Sequence, residues 1–163
     1  MKSALLVSLL ALLPLAAHAE YEKVDMTVFG MDCAPCAHAI HVSMKGIRGV
    51  DKVDVDLNTG LVAIQLTPGN GATMHQFNEA VERNGFTHKD AKIVAKGRIT
   101  GTASAPVLEV TGTEDKYALA ASTGAPNAAS FLGKTVTVTG VLPQAGKGRI
   151  PDALRYAAIT EAQ

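Results

Sequence analysis

Residues 30–41 read GMDCAPCAHAIH, and Cys33 and Cys36 are the only two cysteines in the chain. More than one chemistry suits such a pair. Two thiolates separated by two residues, on a loop that enters a helix, can turn both sulfurs toward one point and hold a soft or borderline ion such as Cu(I), Zn(II), Cd(II) or Hg(II). The free N–H groups of a helix N-terminus favour thiolate. Pro35 has no N–H to lose in the first turn and suits helix entry. Two ligands alone fit linear Cu(I) or Hg(II), whereas Zn(II) wants four.

The same pair could instead exchange electrons as a dithiol and disulfide. CAPC differs from the thioredoxin-type CGPC only at Ala34, but Met31-Asp32 stand just before it in place of an aromatic residue, and a single strand comes earlier. A purely structural disulfide is the third reading. It would close a very short loop, where chain entropy stabilises little.

The elements that must position these residues follow from periodicity. Val24, Met26 and Val28 alternate with Asp25 and Thr27, as in a strand. After the cysteine turn, Ala37, Ile40, Met44 and Ile47 recur at helical spacing, and Gly46 and Gly49 help to end that helix. Val53, Val55 and Leu57, then Val62, Ile64 and Leu66, form the arms of a hairpin around Asn58-Thr59-Gly60. Thr73 and Gln76 resemble a capping box opening a second helix, with Phe77, Ala80 and Val81 as its apolar stripe and Gly85 at its C-terminal end. A last strand is expected between Phe86 and Ala95. The order β-α-β-β-α-β is the ferredoxin-like arrangement.

Residues 22–95 resemble the heavy-metal-associated domain of copper chaperones, metal-transporting ATPases and periplasmic mercury-binding proteins. The resemblance rests on GMxCxxC at Gly30–Cys36, on GVxxVxV at Gly49–Val55, and on the Asn84-Gly85-Phe86 turn. It implies that Cys33 and Cys36 are metal ligands, that Met31 is a core residue and that Phe86 packs against the metal loop. Asp32 departs from the Thr or Ser common in the copper and mercury branches. In some zinc, cadmium and lead ATPases an Asp there is a third ligand; otherwise it is a charge beside a helix N-terminus. His38, two residues after Cys36, is a further auxiliary candidate. His41 lies too far along the helix, and His75 and His88 read as surface residues.

Residues 1–19, MKSALLVSLLALLPLAAHA, carry a basic start at Lys2, an apolar run and an Ala-His-Ala cleavage pattern. They read as a signal peptide cut after Ala19, which implies a periplasmic or secreted protein with no membrane insertion after cleavage. The remainder holds fourteen basic against fifteen acidic residues. That balance leaves no electrostatic footprint for nucleic acid.

Composition shifts at Lys96-Gly97, so the expected domains are 20–96 and 97–163. The second contains no Cys, His or Met, and shows strand-like runs at 99–103, 107–112, 116–121, 134–142 and 154–160. Residues 124–133 have room for a short helix. The pattern suggests a small all-β, OB-like barrel, making the whole chain α+β. Nothing resembles a catalytic triad, a carboxylate pair or a phosphate loop. The reading is a metal carrier or sequestering protein, not an enzyme, whose partner is a metal transporter or metal acceptor. The alternatives are a dithiol oxidoreductase and an adaptor acting through residues 97–163.

Overall fold

Val24, Met26 and Val28 are buried along one face of β1 (Glu20–Phe29). The computed structural model describes residues 20–162, so the expected signal peptide lies outside the described residues. After β1 come α1 (Ala34–Lys45), β2 (Val50–Asp56), β3 (Leu61–Leu66), α2 (Met74–Arg83) and β4 (Thr87–Thr102). The strands lie in the order β2-β3-β1-β4, with antiparallel neighbours. Ile40 and Met44 of α1 and Phe77 and Val81 of α2 join Val24, Met26, Val62, Ile64 and Ile93 in a common core. Each such side chain contributes about 1.5–3 kcal/mol by leaving water. The β-α-β-β-α-β order expected from periodicity is the order found.

α2 begins as its sequence predicts. The Thr73 hydroxyl accepts the Gln76 N–H, and the Gln76 side chain accepts the Thr73 N–H, closing the capping box.

The structure departs from the sequence reading at Lys96-Gly97. The expected strand before Ala95 and the expected run at 99–103 are one sixteen-residue strand, β4. Burial at Ala91, Ile93, Ala95, Gly97 and Ile99 alternates straight through the compositional shift. Gly97 does not break the strand; it admits a close crossing. A Cβ there would sit 2.3 Å from the Glu109 carbonyl oxygen. The division expected at 96/97 therefore falls within a continuous strand.

Beyond β4 lie β5 (Ala105–Val110), β6 (Lys116–Ala121), a 3-10 turn (Ala128–Phe131), β7 (Thr135–Leu142) and β8 (Ala153–Glu161). Pairings β4–β5, β5–β6, β6–β8, β8–β7 and β7–β4 close these strands into a ring, with β6 and β8 parallel. Ile99, Leu108, Val136, Val138, Leu154 and Ile159 are buried. Thr135, Thr137 and Thr139 take the opposite, more open face of β7, as their alternation requires. β4 serves both parts of the chain: residues 91–96 pair with β1 on one side and β7 on the other.

A buried polar knot also joins the two parts. The Tyr21 hydroxyl donates to Asp115 Oδ2 at 2.7 Å and lies 2.7 Å from the Tyr117 hydroxyl. The Met74 N–H, at the start of α2, donates to the same Asp115 oxygen at 3.0 Å. Burial, reinforced by the neighbouring phenol and by Asp115, holds the Tyr21 phenol well above its ordinary pKa. Burial and Asp115 do the same to Tyr117. Because the folded-state values are raised, the native chain binds more protons than the unfolded chain above about pH 10. This contribution to stability is complete below that pH and is lost as pH rises beyond it. In an absorbance titration at 295 nm, Tyr21 and Tyr117 are expected to stay un-ionised until the fold opens, then ionise together. Gradual ionisation of both near pH 10, with the circular dichroism unchanged, would contradict this.

Candidate functional site

β1 ends at Phe29, and Gly30 turns the chain with φ +90, a left-handed value that suits glycine. Met31 is 4% exposed and belongs to the core, as the resemblance implied. Cys33 is the N-cap of α1, with extended backbone (φ −135, ψ 150). Its sulfur accepts the Cys36 N–H at 3.2 Å, and its carbonyl accepts the Ala37 N–H at 3.0 Å. Pro35 occupies the first turn. The helix start thus turns one of its free N–H groups, that of Cys36, toward the Cys33 sulfur.

In the structure Cys33 and Cys36 form a disulfide with Cα atoms 5.1 Å apart. The cystine stands for the oxidised state; adding two electrons and two protons frees two thiols at the same positions. Both cysteines are partly exposed, and Asp32 is exposed. One potential ligand atom each from Asp32, Cys33 and Cys36 lies within 4.8 Å of the others. This is a compact, solvent-facing donor set of two sulfurs and one carboxylate. His38 is exposed on α1 and is not part of that set; neither is the partly exposed His41.

Phe86 comes from the turn between α2 and β4. Its ring lies 3.6 Å from where a Cβ on Gly30 would be. The expected contact with the metal loop is therefore made at Gly30. On the outer face, Phe29 is 68% exposed, and the Lys89 ammonium sits 5.3 Å from its ring centroid.

His88 departs from its expected surface position. It is 5% exposed, and its Nε2 lies 3.2 Å from Glu82 Oε1. Both Glu82 oxygens also accept the Gly148 N–H, at 3.0 and 3.2 Å. Sequence reading missed this arrangement, because Gly148 belongs to a loop sixty-six residues away. The one available signal was the position of His88 just after the Phe86 turn.

The heavy-metal-associated domain family matches residues 25–87. The copper chaperone CopZ of Staphylococcus saprophyticus is 34% identical over 62 residues, which are 38% of this chain and 90% of that protein. A copper-transporting ATPase of Saccharomyces cerevisiae is 33% identical over 64 residues, 39% of this chain. The chain spans only 6% of that ATPase's length. A solved CopZ metallochaperone structure is 30% identical with a TM-score of 0.37, covering 39% of this chain and 94% of that one.

Proposed function

Because the chain belongs, through residues 25–87, to the heavy-metal-associated domain family, we propose that it carries or sequesters one soft metal ion on Cys33 and Cys36 and releases it by ligand exchange. The observation that carries this reading is the pair of sulfurs at the start of α1, partly exposed and joined, among the described residues, by Asp32 as a nearby donor. In exchange, a thiolate of the acceptor adds to the bound ion, and Cys33 or Cys36 then leaves. A low coordination number at the protein surface suits that step. Two thiolates favour Cu(I); recruiting the Asp32 carboxylate would harden the site toward Zn(II) or Cd(II), and Hg(II) suits the sulfurs alone. The protein is a carrier and not an enzyme. The signal-like composition of residues 1–19 supports a periplasmic or extracellular address, and the partner in this reading is a metal transporter or acceptor. The five-stranded ring, with one parallel pair and a short helical turn before β7, supports an OB-like reading of the second part.

The test is native mass spectrometry on reduced, anaerobic protein offered Cu(I) and Zn(II) together. Binding of one Cu(I) is expected. If Zn(II) holds its place, Asp32 is a ligand and the cargo is divalent. If neither ion binds, the proposal fails. A second reading, dithiol–disulfide exchange, draws on the disulfide itself. It requires catalysed reduction of a model disulfide, which a metal carrier would not show.

A further inference from the structure

We propose that the loop joining β7 to β8 is a strap that holds the α2–β4 turn beside the cysteine loop, with Glu82 as its positioning residue. The inference deepens the reading of Cys33 and Cys36 given above and rests on it for its biological meaning. It supplies a role for the second part of the chain, which carries no soft-metal donor of its own.

Three contacts define the strap. Glu82 accepts the Gly148 N–H through both carboxylate oxygens. Asp90 Oδ1 accepts the Gln144 N–H at 2.8 Å. The Asn78 side-chain amide donates to the Arg149 carbonyl at 3.4 Å. Together they span α2 and the start of β4, on either side of Phe86. Glu82 is the penultimate residue of α2, where the helix presents its negative end. A carboxylate is disfavoured there unless it is partnered. Its side chain is nonetheless 14% exposed, held between Gly148 and His88. Charge-assisted hydrogen bonds are the stronger kind, and these link segments far apart in sequence.

The turn is not fixed by packing alone. A partly open cavity of about 280 Å³ is lined jointly by the turn, through Glu82, Phe86 and His88, and by residues 144–147 of the strap. Phe86 lines this cavity and also lies against Gly30. Without the strap, the turn can move into the cavity and away from the cysteine loop. With it, the turn stays against Gly30, three residues before Cys33.

The experiment measures the rate at which iodoacetamide alkylates Cys33 and Cys36 in the full chain, reduced, anaerobic and metal-free, well below its melting temperature. Glu82→Ala is expected to raise the rate by about threefold or more, as local opening becomes easier. Glu82→Gln should return the rate close to that of the wild type, because its Oε1 still accepts the Gly148 N–H. Asp90→Ala, which loosens the strap at Gln144, should raise the rate to a smaller extent and serves if Glu82→Ala does not fold. Leu108→Ala, which opens a cavity in the core of the strand ring away from α2 and the strap, should lower the melting temperature and leave the rate unchanged. Wild-type rates in both strap variants would overturn the inference. So would an equal acceleration in Leu108→Ala, which would mean general loosening. Since no metal enters the assay, a failure of the metal-carrier reading leaves this result intact, and the reverse also holds.

Discussion

A Cys33→Ser, Cys36→Ser variant is expected to lose affinity for Cu(I) by at least about a thousandfold, because both soft donors become hard hydroxyls. The substitution is a clean probe at this site. Cys33 is the N-cap of α1, where its sulfur accepts the Cys36 N–H. Serine is among the preferred N-cap residues, so its hydroxyl takes over that hydrogen bond. The variant should therefore melt within about 3 °C of the reduced wild type. A chromophoric Cu(I) chelator titrated in competition gives the affinity, and circular dichroism gives the melt. Asp32→Ala, in the same assay, should weaken Zn(II) more than Cu(I), since a carboxylate oxygen suits the harder ion. Retention of wild-type Cu(I) affinity by the double serine variant would remove the sulfurs from the mechanism. The metal would then have to bind somewhere the donor set at Asp32, Cys33 and Cys36 does not reach.

The cysteine loop and its supporting elements were legible because their signals are local. Strand alternation in β1, the helical stripe of α1, and the Thr73–Gln76 box each lie within a few residues. Each also has a periodicity or a cap that physics ties to one conformation. Met31 was assigned to the core by resemblance, and it is buried. What escaped was long-range. Lys96-Gly97 marks a real change of composition, yet backbone pairing runs through it, because β1 and β7 flank β4 on both sides. His88 looked like a surface residue because its partner Glu82 is completed by Gly148, which no window around His88 contains. The same holds for Tyr21, which meets Asp115 and Tyr117 more than ninety residues away. These misses share one consequence. Removing residues 98–163 would cut β4 within its length and take away β7, Asp115 and Gly148 together, so such a truncation tests stability as much as docking. Point variants separate the two questions.

Asp115→Ala is expected to cost about 3–5 kcal/mol, the magnitude of breaking a buried charged hydrogen-bond network by removing one partner. Asp115 is 9% exposed, and its Oδ2 receives both the Tyr21 hydroxyl and the Met74 N–H. Alanine leaves the Met74 N–H without that acceptor and the Tyr21 hydroxyl with Tyr117 alone. For a chain of this size the loss corresponds to about 10 °C in melting temperature. Asp115→Asn keeps one carbonyl acceptor and should recover part of it. Tyr21→Phe should cost less than Asp115→Ala, since Asp115 then keeps the Met74 N–H. Urea unfolding followed by circular dichroism measures the series, and a loss below about 1 kcal/mol for Asp115→Ala would show the knot to be incidental. The order of these effects bears on function, because the second part of the chain grips α2 at both ends. Asp115 holds its first N–H, and Gly148 holds Glu82 in its last turn. Between those two grips the helix has little freedom to slide or tilt, and the turn it delivers to Gly30 is placed by the strand ring as well as by the core beneath it.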